Sequence, residues 1–137
     1  LTADKPIEES AEFTPQFNEQ GLLPAIAQDA HTGQILMFAW MNRQSLDETI
    51  KTGFGTYYSR SRKKLWKKGE QSGHTQKVVQ ILTDCDQDTI LLKVTVDAGQ
   101  CHVGYHSCFY RALKPDSQNE LDFIAQKSYD PAKTYKK

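Results

Sequence analysis

The stretch VVQILTDCDQDTILLKVTVD, residues 78–97, decides how the chain is read. Two apolar runs rich in β-branched residues, Val78–Asp84 and Thr89–Asp97, flank a short polar centre. Their length and composition predict two strands joined by an aspartate turn. The turn carries unusual chemistry: Cys85 stands between Asp84 and Asp86, and Asp88 follows two places on. Carboxylates this close repel one another unless a cation sits among them. A soft sulfur among hard oxygens points to two metals rather than one.

Working outward, residues 22–29 and 34–40 are apolar-rich and separated by Ala30-His31-Thr32-Gly33, which reads as a hairpin turn. Asn42 is placed to cap a short helix with Leu46 and Ile50 on its buried face, and Ser45 with Glu48 offers a second capping pair. Gly53 suits a left-handed stop. Thr56–Ser59 reads as extended, and residues 60–77, polar, basic and punctuated by glycine, read as a long loop. Beyond the central strands come a tight segment at Gly99–Gly104, a last strand over Ser107–Leu113 and a short helix over 120–127. Strand and helix do not alternate, so a doubly wound sheet is excluded. The expected fold is mainly β with one or two short helices, on the border of α+β: a small mixed sheet folded into a pseudobarrel.

The chain has 137 residues, enough for one domain. We divide it into an N-terminal arm over 1–17, a domain over 18–113 and a C-terminal extension over 114–137. Lys plus Arg and Asp plus Glu both number 17, so the overall field favours no class of partner. Only 38% of residues are hydrophobic, and a core that small benefits from a partner chain or a bound metal. No apolar run reaches the roughly 18 residues of a membrane span, and the start lacks a signal-peptide pattern. We therefore expect no membrane partner and a reducing, cytoplasmic location. The first residue, Leu1, reads as a trimmed start.

Three cysteines, Cys85, Cys101 and Cys108, cannot all pair within one chain. They read either as idle buried thiols or as metal ligands. In an extended chain Asp84, Asp86 and Asp88 share one face and Cys85 takes the other, so carboxylates could hold magnesium while the thiolate reaches zinc. The other reading of the aspartates is an acidic surface turn. A calcium loop of the EF-hand type needs glycine and glutamate where this chain has Thr89 and Thr95, and is excluded. Cys101 and Cys108 lie in QCHVGYHSCFY, without the C-x-x-C spacing of structural zinc knuckles. Three thiolates leave one tetrahedral position open for water, as a catalytic site requires. Zinc sites of this kind activate water against nucleobase carbons in deaminases. His102, beside a ligand, is the candidate base, or else an ordinary packing histidine.

Residues 60–68, RSRKKLWKK, hold six cations around Trp66. One reading is a solvated loop. A second is a nucleic-acid surface with Trp66 stacking on bases. A third is a phosphate clamp, with Arg60 and Arg62 as forked donors and Ser59 and Ser61 as neutral ones. Overall neutrality weighs against nucleic acid.

Taken together, GLLPAIAQDAHTGQILMFAWMN, YYSRSRKKLWKKGEQSGHTQK, DCDQD and CHVGYHSCFYR resemble phosphoribosyl-AMP cyclohydrolase of histidine biosynthesis. The resemblance covers about residues 21–111, in order and with compatible spacing. It implies hydrolysis of the adenine ring of a ribotide bearing two phosphates. It also implies one zinc per subunit on Cys85, Cys101 and Cys108, magnesium on Asp84, Asp86 and Asp88, and proton handling by His102. Arg60, Arg62, Lys64, Ser59, Ser61, Trp66 and His74 fall where substrate would bind. It further implies an intertwined homodimer whose zinc site draws cysteines from both subunits, which would turn Cys85 away from its aspartate neighbours.

Two departures stand out. Val103 replaces a threonine, and Tyr105-His106 stands where the family carries an arginine before the serine–cysteine pair. Loss of a hydroxyl and a cation there leaves open a paralogue that binds zinc without turnover, besides the enzyme and a metal-stabilised nucleic-acid module. Only 26 residues follow Arg111, too few for a fused second enzyme domain, so a monofunctional chain is expected.

Overall fold

The protein is described by a computed structural model over residues 5–134. The expected central hairpin is present. Strand β5 (Lys77–Thr83) runs antiparallel to β6 (Ile90–Thr95), with Thr83 opposite Ile90 and Lys77 opposite Thr95. Every second residue of β6, namely Ile90, Leu92 and Val94, is fully buried. β5 turns most of its side chains outward, and its register slips between Val78 and Gln80, leaving Val79 exposed.

The first hairpin also forms, from β1 (Leu23–Asp29) and β2 (Ile35–Met41), with Leu23 opposite Met41. β1 then pairs in parallel with β6, Ala25 beside Ile90 and Ala27 beside Leu92. All four side chains are fully buried, so small residues of one strand accommodate large ones of its neighbour. Beyond β2 lie β3 (Thr56–Ser59) and β4 (Lys64–Lys67), so the sheet has the order β4-β3-β2-β1-β6-β5, with β2 and β1 at its centre. Leu23, Leu36, Met41, Leu46 and Tyr57 complete the core, and the buried Tyr57 hydroxyl donates to Gln76 Oε1 at 2.5 Å. No helix among the described residues is long and apolar enough to cross a membrane.

Helix α1 (Arg43–Thr52) is capped by Asn42, whose Oδ1 accepts from Ser45 N at 2.8 Å while Ser45 Oγ accepts from Asn42 N at 2.9 Å. Ser45 thus completes the Asn42 cap rather than starting a second one. Gly53 ends the helix at φ 78°, as expected. The buried face differs from expectation: Leu46 is fully buried, but Ile50 is 52% exposed. Its place is taken by Thr49, three residues from Leu46 rather than four. Thr49 Oγ1 accepts from Thr56 N at 3.0 Å, so its hydroxyl replaces an apolar contact with a bond to the next strand.

Three further expectations are corrected. The supposed loop over 60–77 contains a strand, β4 (Lys64–Lys67), paired with β3 (Thr56–Ser59). Tyr57 lies opposite Trp66 with ring centroids 5.1 Å apart, and that cross-strand pair holds a segment whose lysines suit a sheet edge. The strand expected over Ser107–Leu113 begins only at Arg111, because Ser107 and Cys108 instead bond to the backbone of β2: Ser107 Oγ to Ile35 O at 2.7 Å and Cys108 N to Leu36 O at 2.7 Å. Residues 120–127 form no helix. β8 (Leu121–Phe123) pairs with β7 (Arg111–Leu113), and the two-residue period of Leu121 and Phe123 governs that segment. The second helix, α2, is a single turn at Pro131–Thr134.

Candidate active site

The aspartate segment is a turn, not an extended strand, so its carboxylates meet by a different route from the expected pleat. Gln87 adopts φ 59°, and Asp84 Oδ1 accepts from Asp88 N at 3.0 Å and Thr89 N at 3.2 Å. Oxygens of Asp84, Asp86 and Asp88 come within 4.8 Å of one another, all exposed. Burial pushes the Asp84 carboxyl up slightly, but hydrogen bonds from Asp88 and the two backbone amides hold it below the usual range. Asp88 is pushed up by its neighbouring carboxyls, Asp86 first and then Asp84. The three groups therefore compete for positive charge, and their hard-oxygen donor set fits a hard divalent cation. The turn is anchored from beneath by Gln87, whose Oε1 accepts from Thr14 N at 2.7 Å and whose Nε2 donates to Glu12 O at 2.9 Å.

Cys101 and Cys108 come together at the other end of β2. The segment between them closes on itself through Cys101 N to Tyr105 O and Gln100 N to His106 O, both 3.0 Å. The two thiols are close enough for one to act on the other's charge. Burial first, then the Cys101 sulfur, pushes the Cys108 thiol up to about 12, while the Lys68 ammonium pulls it down. Paired thiols of this kind lose their protons to a soft metal rather than to water, so the donor set fits zinc. Cys85, exposed in the aspartate turn, does not join them: among the described residues the three aspartates are the one group of three such ligands that converges.

The departures near Cys108 have clear structural roles. His106 Nε2 meets the buried Asp29 Oδ2 at 3.0 Å, and Tyr105 stacks on Tyr110 with centroids 3.8 Å apart. The first fastens the cysteine segment to the sheet, and the second packs that segment onto its own continuation.

Three clefts border Trp66, and two of them hold other candidate residues. One, of about 250 Å³, is lined by Arg62, Trp66, Lys68, Glu70, Ser72 and the exposed His102. The other, wider and of about 500 Å³, is lined by Trp40, Tyr58, Ser59, Arg60, Ser61 and Trp66. In the second, the Arg60 guanidinium lies 4.9 Å over the Trp40 ring, and the Ser59 and Ser61 hydroxyls are 3.4 Å apart. Lys64 and His74 line neither cleft; Lys64 is exposed on β4, and His74 Nδ1 lies 2.7 Å from Gly99 O. An apolar groove of about 380 Å³ between the N-terminal arm and β5, lined by Phe13, Ile50, Ile81 and Leu82, shares no residue with these clefts and carries no basic or thiol group.

Sequence reasoning counted Lys68 only among the basic residues. It is buried, and its Nζ donates to Gln100 O at 2.5 Å. Its signal was the step from an edge strand into Gly69, where a side chain can turn inward. Asp29 and Tyr129 left no such signal.

The cleft geometry and the comparisons with known proteins together define an enzyme. The sequence model of the phosphoribosyl-AMP cyclohydrolase family matches residues 37–110. A phosphoribosyl-AMP cyclohydrolase of Methanococcoides burtonii is 54% identical over 122 residues, covering 89% of this chain and 96% of its own. That of Chlorobium limicola is 55% identical over 124 residues, covering 90% and 89%. That of Hyphomonas neptunium is 56% identical over 107 residues, covering 78% and 82%. The chain belongs to the phosphoribosyl-AMP cyclohydrolase family.

Proposed function

We propose that the chain hydrolyses the adenine ring of N1-(5-phosphoribosyl)-AMP, the third step of histidine biosynthesis, in the cytoplasm. The N1 ribosyl group makes the ring cationic and C6 electrophilic. Water adds at C6 and the N1–C6 bond breaks. The water oxygen becomes the carboxamide oxygen, one water proton ends on N1, and the other is released, because the exocyclic nitrogen of the cationic ring already carries two hydrogens. His102 takes and returns the proton. Arg62 and Arg60, on either side of Trp66, hold the two phosphates through forked donors, helped by Ser59, Ser61 and Lys64. Trp66 stacks on the base, and His74 supports the cleft from behind.

Cys101 and Cys108, with Cys85 of a second subunit, would hold one zinc per subunit in a homodimer. Bound there, zinc would supply a Lewis acid that makes hydroxide available near neutral pH. Asp84, Asp86 and Asp88 would hold magnesium.

The observation that carries this reading is that His102, next to the thiol pair, shares one cleft with Arg62, Lys68 and Trp66. An ultraviolet assay with the ribotide, on protein of measured metal content, tests it. Turnover that rises with bound zinc is expected. A fully loaded protein that leaves the ribotide intact would refute it.

A further inference from the structure

Three successive backbone carbonyls each accept a hydrogen bond from a side chain of a different segment. His74 Nδ1 lies 2.7 Å from Gly99 O, which can only accept, so Nδ1 carries the proton. Lys68 Nζ donates to Gln100 O at 2.5 Å. The Tyr129 hydroxyl donates to Cys101 O. The third donor comes from beyond β8, in a strap that lies across the cysteine segment.

The strap is closely fitted. Ser128 N and Tyr129 N donate to Gly104 O at 2.7 and 3.2 Å. The Tyr129 ring meets the His74 ring edge-on, with centroids 4.7 Å apart. A Cβ on Gly99 would come within 2.6 Å of Ser128 Oγ and 2.8 Å of the Tyr129 ring. A Cβ on Gly104, at φ 111°, would come within 2.8 Å of Tyr129 O. Both glycines leave the room that the strap occupies.

The Cys101 oxygen matters because of where it sits. It belongs to the peptide joining Cys101 to His102, and a peptide unit is planar. Gly104 N donates to the same oxygen at 3.0 Å. With Tyr129 on its other side, the plane of that peptide is fixed. Fixing the plane sets the directions in which the Cys101 sulfur and the His102 ring leave the backbone. No strand ladder supports residues 99–105, so side-chain donors supply the order.

We propose that Tyr129 is a positioning residue: through the Cys101–His102 peptide it orients both the thiol and the imidazole of the active site. The inference rests on the reading of those two residues given above. Its test compares Tyr129→Phe, which keeps the ring against His74, with Tyr129→Ala, which removes both contacts. Three quantities are read: amide hydrogen exchange at residues 99–105, alkylation of Cys101 in metal-free protein, and kcat against KM. In Tyr129→Phe, exchange and alkylation should each rise about fivefold, the share of one hydrogen bond. Its kcat should fall by a similar factor with KM unchanged, and Tyr129→Ala should exceed it in all three. Unchanged exchange and alkylation in both variants would overturn the proposal, and so would loosened amides with an unchanged kcat. A wild-type protein inert toward the ribotide would instead count against the cyclohydrolase reading, and exchange and alkylation would still decide the role of Tyr129.

Discussion

His106 Nε2 meets Asp29 Oδ2 at 3.0 Å, tying the segment between Cys101 and Cys108 to the end of strand β1. Asp29 also accepts from His31 N at 2.8 Å and Thr32 N at 3.4 Å, so one buried carboxylate closes the first hairpin and anchors the thiol segment together.

This arrangement gives a pH-dependent prediction. Burial pushes the Asp29 carboxyl up, but the bonds from His31, His106 and Thr32 outweigh it and leave the group below its ordinary value. A carboxyl depressed in the folded state stabilises above its unfolded pKa of about 4, and that stability is lost as pH falls through the folded value. Asp29→Asn should cost about 1–2 kcal/mol at pH 7. The gap from the wild type should narrow below pH 4. Urea unfolding at the two pH values measures both; an equal gap at each would show that ionisation of Asp29 contributes nothing.

Cys101 and His102 are neighbours to which the proposed function gives separable roles. Cys101→Ser should remove bound zinc and turnover together. His102→Ala should keep zinc and lower the rate by about 10²–10⁴-fold. Metal analysis beside the ribotide assay distinguishes them. An unchanged rate in His102→Ala would remove that residue from the chemistry.

Arg62 lines the cleft that also holds His102, where the proposed function gives its guanidinium a phosphate to bind. Arg62→Ala should raise KM about tenfold, a typical charge-assisted bond, with kcat little altered. Steady-state kinetics across substrate concentration would expose the opposite split.

The helix cap offers a control outside the site. Asn42→Ala breaks the reciprocal bonds with Ser45 and should cost about 1 kcal/mol of stability. Its kcat and KM should match the wild type at a temperature where both are folded. Altered KM would connect α1 to the clefts.

Much of the fold could be read from local pattern. The alternation of β6, the Asn42 cap and the Gly53 stop are written in adjacent residues. β4 escapes local pattern because its lysines mask a strand whose Trp66 pairs with Tyr57, nine positions earlier. Residues 120–127 read as helix in isolation because the partner of Leu121–Phe123, Arg111–Leu113, lies across a turn. Hydropathy alone places Ile50 in the core, since no such pattern shows that Thr49 satisfies its hydroxyl against Thr56. At the site, the motifs named the aspartates, the thiols and His102, whereas the donors from Lys68, His74 and Tyr129 reach their carbonyls through space and from distant segments.

The pairing of β1 with β6 has a consequence for how the chain reaches this state. The two hairpins are local and can form early, but they join into one sheet only when residues as distant in sequence as Ala25 and Ile90 meet. That long closure should set the refolding rate, because non-local pairing must lose loop entropy before it gains contacts. Substitutions along the β1–β6 seam should therefore slow refolding, while those within either hairpin mainly hasten unfolding.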